Sequence, residues 1–131
     1  MKNEKKRPWT KDKLFKKVTA EVIRELPPPL RKALGTVQIV VQARPSQDHL
    51  SRSRLKQGDD LFGLFDGLSL KDWPIGQDRY QPDRVILFEE NLKRYFPKKE
   101  ALRRQIRITL IHELGHYFGF SEKELRDRGW A

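Results

Sequence analysis

Apolar side chains recur at helical spacing in two long parts of the chain. The first stretch follows Thr10, which suits an N-cap, and stops before Pro27; its apolar positions are Leu14, Phe15, Val18, Val22, Ile23 and Leu26. The second stretch, residues 98–118, has three arginines in its first half and almost only apolar residues in its second half. We therefore predict an N-terminal helix, and a long helix that faces solvent on one side of its first half and is buried in its second.

Shorter segments complete the predicted elements. Residues 30–34 are expected to add one helical turn closed by Gly35, residues 89–96 a short helix stopped by Pro97, and residues 121–128 a short final helix. Three β-rich segments, residues 36–43, 61–65 and 84–88, predict a small sheet. Residues 44–60 are polar and predict a long loop, in which His49 would be a surface histidine.

Length and charge divide the chain into an arm and one domain. The 131 residues carry a net charge of +10, and residues 1–17 hold eight Lys or Arg against two acids. We predict a disordered basic arm over residues 1–9 and a single α+β domain over residues 10–131. The arm could attract nucleic acid, but no RNA-binding aromatic pattern or helix-turn-helix signal accompanies it, so a solvated tail is the simpler interpretation.

Two absences bear on the expected location. The chain has no cysteine, which excludes disulfides and Cys-type metal sites and fits a reducing cytoplasm. No apolar run approaches the length of about 18 residues that a membrane span requires. The basic start is not followed by the apolar segment of a secretory signal. We therefore expect a cytoplasmic protein with no membrane contact.

The chemistry of the chain is concentrated in the second half of the long helix. His112, Glu113 and His116 form the pattern HExxH, in a stretch whose other residues are almost all apolar. Residues i and i+4 share a helix face, so the two imidazoles can bind one metal ion. Glu113 lies at the rim of that face, where its carboxylate can take a proton from a metal-bound water. The pattern predicts a site for one zinc ion per chain.

Such a zinc site needs a third protein ligand. Fifteen residues follow His116, so we expect the ligand soon after it or upstream of it. Gly119 can take the left-handed conformation and reverse the chain. Ser121 and Glu124 have the spacing of a capping box, which leaves Glu122 to face the metal. Three upstream acids remain open as alternatives: Asp66, Glu89 and Glu90.

Three segments together resemble a known family. They are LFGLFDG (61–67), DRVILFEENL (83–92) and HELGHYFGFSEKEL (112–125), in this order. They resemble the small bacterial zincin-like metallopeptidases, which have the minimal zincin fold. The resemblance implies a short twisted sheet packed on the HExxH helix, a zinc or similar divalent ion at His112 and His116, and Glu113 as the base. The family usually has Asp where this chain has Glu122.

The expected function is that of a zinc metallopeptidase. A peptide or protein substrate would lie along an exposed strand edge, formed by residues 61–65 or 84–88. The residue that would stabilise the oxyanion is not identified; the candidates are His49, Tyr80, Tyr95 and several arginines. Two alternatives stay open: a metal-binding or peptide-binding module without proteolysis, and a nucleic-acid-associated protein that acts through the basic arm.

Overall fold

Six helices and three strands are mixed along the described residues in an α+β arrangement. A computed structural model describes residues 12–35, 37–52, 61–67 and 83–128. Its helices are α1 (Lys13–Glu25), α2 (Pro28–Leu34), α3 (Gln47–Arg52), α4 (Glu89–Tyr95), α5 (Lys99–Phe118) and α6 (Glu122–Asp127). Its strands are β1 (Gln38–Gln42), β2 (Gly63–Asp66) and β3 (Arg84–Phe88). The α+β prediction is confirmed.

Strand β3 is the centre of the sheet that the described residues form. The strand order is β1-β3-β2, with β1 parallel and β2 antiparallel to β3. The prediction that residues 84–88 could form a free edge is therefore wrong. The continuous apolar run of Val85–Phe88 is typical of a strand that is covered on both faces, and these four residues are all fully buried. Among the described strands, β2 and β1 lie at the edges.

Each face of the sheet has its own apolar cluster. Helices α1 and α5 cover one face, where Val41, Val85 and Leu87 belong to the larger cluster. On the other face the cluster consists of Val40, Leu61, Ile86 and Phe88, with Leu50 and Leu64 packed against it. Leu50 belongs to α3, so a helix lies where the sequence predicted a loop. The spacing of α3 shows no amphipathic signal, because its only apolar residue is Leu50.

His49 is a buried histidine, not the surface histidine that the sequence predicted. Only 7% of the residue is exposed, and its ring lies 5.5 Å from the ring of Phe88. Its Nδ1 accepts a hydrogen bond from the Ser46 N–H, and the Ser46 hydroxyl accepts one from the His49 N–H. The first bond gives the buried ring a polar partner, and the second satisfies the main-chain N–H. His49 therefore helps to cover the face of the sheet opposite α5.

The long helix α5 is held against α1 by apolar packing and by ion pairs. Arg103 binds the carboxylate of Glu21 at 2.8 and 2.9 Å, and Arg107 binds Glu25 one turn further along both helices. The two helices therefore run in the same direction. The buried face of α5 includes Leu102, Ile106, Leu110 and Leu114, which recur every four residues. Ile108 lies away from this face and is 43% exposed, so the second half of α5 is not buried all round.

The start of α1 differs from the sequence prediction. The N-cap of α1 is Asp12, whose carboxylate accepts a hydrogen bond from the Leu14 N–H at 2.9 Å. The predicted N-cap, Thr10, lies outside the described residues, as do the basic arm over residues 1–9 and the segment that holds Tyr80. Helix α5 is the longest described helix, yet no helix in the described ranges is long and apolar enough to cross a membrane.

Strand β2 approaches α5 more closely than a side chain would permit. A Cβ atom on Gly63 would lie 2.6 Å from Cγ2 of Thr109 and 3.2 Å from the carbonyl oxygen of Ile86. Thr109 is buried on α5, and its β-branched side chain has little freedom to move away. The absence of a side chain at residue 63 therefore lets the strand lie directly against the helix that carries HExxH.

We expect Gly63→Ala to lower the free energy of unfolding by about 1–3 kcal/mol, the usual effect of forcing a methyl group into a packed interior. Denaturant titration measures the change. Thr109→Ser is the matched variant, because it removes the Cγ2 methyl that the new Cβ would meet. In the double variant, a coupling of at least about 0.5 kcal/mol should offset part of the loss. Strictly additive effects would show that this contact does not limit the approach of β2 to α5.

Candidate metal site

Helix α5 brings the three residues of HExxH together. One ligand atom from each of His112, Glu113 and His116 lies within 4.8 Å of the others. The centroids of the two imidazole rings are 4.6 Å apart, with an angle of 69° between the ring planes. This is the arrangement expected for residues i and i+4 on one helix face. Within the described residues, no other group of three or more His, Cys, Asp or Glu comes together in this way.

The three side chains differ in their exposure. The side chain of His116 is 42% exposed, whereas that of Glu113 is only 12% exposed. The nearly buried carboxylate of Glu113 has two polar neighbours. Its Oε1 accepts a hydrogen bond from the Phe65 N–H at 2.7 Å and lies 3.4 Å from Nδ1 of His116. The carboxylate therefore lies between the metal-binding face of α5 and strand β2.

The chain reverses directly after the second histidine. Gly119 has φ 81° and ψ 19°, the left-handed conformation that favours glycine. Its N–H donates to the carbonyl of His116 at 3.0 Å, and the N–H of Phe120 donates to the carbonyl of Gly115 at 2.9 Å. These two bonds are those of a Schellman motif. The reversal predicted at Gly119 is confirmed.

Helix α6 packs back against the HExxH turn. Leu125 of α6 is fully buried. A Cβ atom on Gly115 would lie 2.4 Å from Cδ2 of Leu125, so the glycine between the two histidines leaves the space that Leu125 fills. The predicted capping box is present. The Ser121 hydroxyl accepts a hydrogen bond from the Glu124 N–H, and the Glu124 carboxylate accepts one from the Ser121 N–H.

The third metal ligand stays a prediction. The main chain of Glu122 begins α6, but its side chain lies outside the described residues. Glu124 is engaged in the capping box, as expected. The three upstream alternatives each pair with a cation: Asp66 with Arg84 at 2.9 Å, Glu89 with Lys93 at 2.6 Å, and Glu90 with Arg44 at 3.4 Å. Glu122 therefore stays the predicted third ligand, and the described residues do not test it.

The donor set suits a divalent metal ion. Two imidazoles and a carboxylate are the ligand types that zinc takes in catalytic sites, and such sites keep one position open for water. His116 is exposed enough to be reached from solvent, and His112 is partly buried beside it. The arrangement can therefore hold a metal ion.

Comparison with known proteins agrees with this geometry. The sequence model of the zincin-like metallopeptidases matches residues 34–130. The chain belongs to the zincin-like metallopeptidase family. The family match and the small sheet beside α5 confirm the minimal zincin-like fold that the resemblance implied, and the family implies a divalent metal, typically zinc. No curated protein matches the chain.

Two of the predicted candidates for an oxyanion group, His49 and Tyr95, have rings that pack against aromatic side chains. His49 lies on the face of the sheet opposite α5, against Phe88. The ring of Tyr95 packs edge-on against Phe62 at 5.4 Å, and Tyr80 lies outside the described residues.

A groove of about 470 Å³ between α1 and β1 is lined by Phe15, Lys16, Thr19, Ala20, Ile23, Ile39 and Val41. It includes none of the HExxH residues.

Sequence reasoning missed one group at the site, the main-chain N–H of Phe65. It donates to the carboxylate of Glu113, which lies 48 residues away in sequence. Any residue except proline has this donor, so the identity of residue 65 carries no signal for it. The register of β2 against β3 would have been needed to find it.

We expect the full-length chain to bind one zinc ion, and the double variant His112→Ala/His116→Ala to bind none at comparable affinity. Elemental analysis after zinc loading and dialysis measures the content. His49→Asn is the control for loss of a histidine, because His49 lies across the sheet and Asn can still accept a hydrogen bond. An unchanged zinc content in the double variant would place the metal elsewhere.

The roles of the two glutamates in α6 can be separated by titration. Glu122→Ala should weaken zinc affinity more than 10-fold, because even groups that only support a metal ligand change affinity by about 10- to 100-fold. Glu124→Ala should leave affinity unchanged and lower the free energy of unfolding by about 0.5–1 kcal/mol through the lost cap. The reverse result would mean that the two roles are exchanged. No change in affinity for either variant would place the third ligand upstream or leave that position to water.

Proposed function

We propose that this protein is a zinc-dependent peptidase that hydrolyses peptide bonds in an extended peptide or protein. The observation that carries the proposal is that Glu113, which is clustered with His112 and His116, bonds to a main-chain N–H of strand β2. A metal site next to a strand edge can receive a substrate that pairs with that edge. Membership of the zincin-like metallopeptidase family supports the same conclusion.

Each residue of the group has a distinct role in the proposed reaction. His112, His116 and Glu122 hold zinc. Zinc, when bound, supplies a water molecule of lowered pKa and polarises the carbonyl of the substrate. Glu113 accepts the proton of the attacking water and passes it to the leaving amine. The low exposure of the Glu113 side chain keeps bulk water from competing for that proton.

The substrate in this proposal pairs with β2, since β3 is the central strand. Leu64 and Asp66 face Ile86 and Arg84 of β3 in the antiparallel register. Hydrogen-bonded and non-bonded pairs alternate along such a ladder, so the main-chain groups of Gly63 point outward. A peptide backbone can therefore bond to Gly63, two residues before the amide that contacts Glu113.

A metal-binding or peptide-binding module without proteolysis is the second candidate. One observation favours it: His49 and Tyr95, two of the predicted candidates for an oxyanion group, pack against Phe88 and Phe62. Such a module would bind zinc and peptide but would not turn the peptide over. The nucleic-acid hypothesis stays a prediction, because the basic arm on which it depends lies outside the described residues.

Glu113→Gln separates the two candidates. It should reduce the turnover of a peptide library by roughly 100-fold or more, because it removes the base. Zinc content and thermal stability should stay near those of the parent, since the Gln side chain still accepts the hydrogen bond from Phe65. Mass spectrometry of the library measures turnover.

Glu124→Gln is the matched control for this experiment, because it makes the same chemical change at the capping box of α6. It should retain the turnover of the parent. Equal turnover in the Glu113→Gln variant and the parent would rule out Glu113 as the base. Peptide binding without any turnover in the parent would support the non-proteolytic module.

A further inference from the structure

Strand β2 has an outer edge whose main-chain groups are not used by β3. The N–H of Phe88 donates to the carbonyl of Phe62 at 2.9 Å, and Leu64 lies opposite Ile86 in the same register. Because bonded and non-bonded pairs alternate along an antiparallel ladder, the N–H and C=O of Phe65 point away from β3. The amide of Phe65 therefore needs a partner outside the sheet.

That partner is the carboxylate of Glu113. The Phe65 N–H lies 2.7 Å from Oε1, at the short end of the range for an N–H donor and typical of a bond to a charged acceptor. The same Oε1 lies 3.4 Å from Nδ1 of His116. Oε1 is thus hydrogen-bonded to the strand and lies beside the second histidine of the HExxH group.

We infer that the main-chain amide of Phe65 is a positioning group for Glu113. It fixes Oε1 and thereby holds the carboxylate beside the metal-binding face of His112 and His116. The catalytic meaning of this contact rests on the proposed function, whereas the contact itself does not. A hydrogen bond from a rigid strand suits this role, since a base must be held within a small fraction of an ångström of its working position.

The ring of Phe65 supports the same alignment. Its centroid lies 5.6 Å from that of Tyr117, one helical turn beyond Glu113. The hydroxyl of Tyr117 donates to the carbonyl of Ala33 at 3.1 Å and so ties this turn of α5 to α2. The strand residue is therefore fixed to α5 through its main chain at Glu113 and through its side chain at Tyr117.

Amide hydrogen exchange tests the contact without any measurement of activity. In the zinc-loaded full-length chain, the Phe65 amide should exchange slowly in the parent and in Glu113→Gln, which keeps an acceptor oxygen. In Glu113→Ala it should exchange about 10- to 100-fold faster, the range that corresponds to a hydrogen bond with a charged group. The amides of Leu64 and Asp66 face β3 and should not change. Equal protection of Phe65 in Glu113→Ala would overturn the inference.

A second experiment tests the role in catalysis. Phe65→Pro removes the donor and is compatible with an outward-facing position on an edge strand. Phe65→Ala is the matched control, because it also removes the ring but keeps the amide. We expect the kcat of the Pro variant for peptide hydrolysis to be at least about 10-fold below that of the Ala variant, with similar KM, because orientation of the base matters in the transition state.

If Phe65→Pro fails to fold, the α-hydroxy acid analogue of phenylalanine at residue 65 replaces it. This analogue keeps the ring and exchanges the N–H for an ester oxygen, and its kcat is compared with that of the parent. Equal kcat with and without the amide would overturn the positioning role even where the protein is an active peptidase. Absence of turnover in the parent would instead refute the proposed function, and the exchange experiment would still decide whether the contact exists.

Discussion

The structure depends on one contact, the hydrogen bond between a nearly buried carboxylate and the amide of an edge strand. A carboxylate among apolar residues is unfavourable unless it has polar partners. Glu113 obtains one from Phe65 only because β2 lies directly on α5, and β2 can lie there only because residue 63 has no side chain. Strand β3 fixes the register of β2, and α1 holds α5 through Arg103 and Arg107. The tertiary packing thus supplies the polar partner that the acid of the HExxH helix requires.

The two residues between Glu113 and His116 have different structural roles. Leu114 is fully buried and anchors the helix in the core. Gly115 is unfavourable in a helix by about 1 kcal/mol relative to alanine, but it leaves room for Leu125 and so lets α6 pack against the HExxH turn. The loss in helix propensity is offset by burial of that leucine. The motif therefore carries the packing of the last helix as well as the metal chemistry.

Local signals predicted most of the elements, and long-range contacts account for what they missed. The capping box at Ser121, the reversal at Gly119 and strand Arg84–Phe88 depend on neighbouring residues and were predicted correctly. The central position of that strand, the burial of His49 and the contact of Phe65 with Glu113 depend on segments distant in sequence. Helix α3 was not predicted, because its only apolar residue, Leu50, gives no helical periodicity.

The hydrogen-bond donor to Glu113 is a main-chain amide, which explains why the sequence revealed only part of the site. Histidines and acids at fixed spacing are side-chain chemistry, so the sequence displays them. A main-chain amide is present at nearly every residue, and its role is set by strand parity. In the register of β2 and β3, residues 63 and 65 turn their main chains outward and residues 64 and 66 do not. A shift of one residue would point the amide of residue 65 into the sheet, so the register of β2 determines whether Glu113 has its partner.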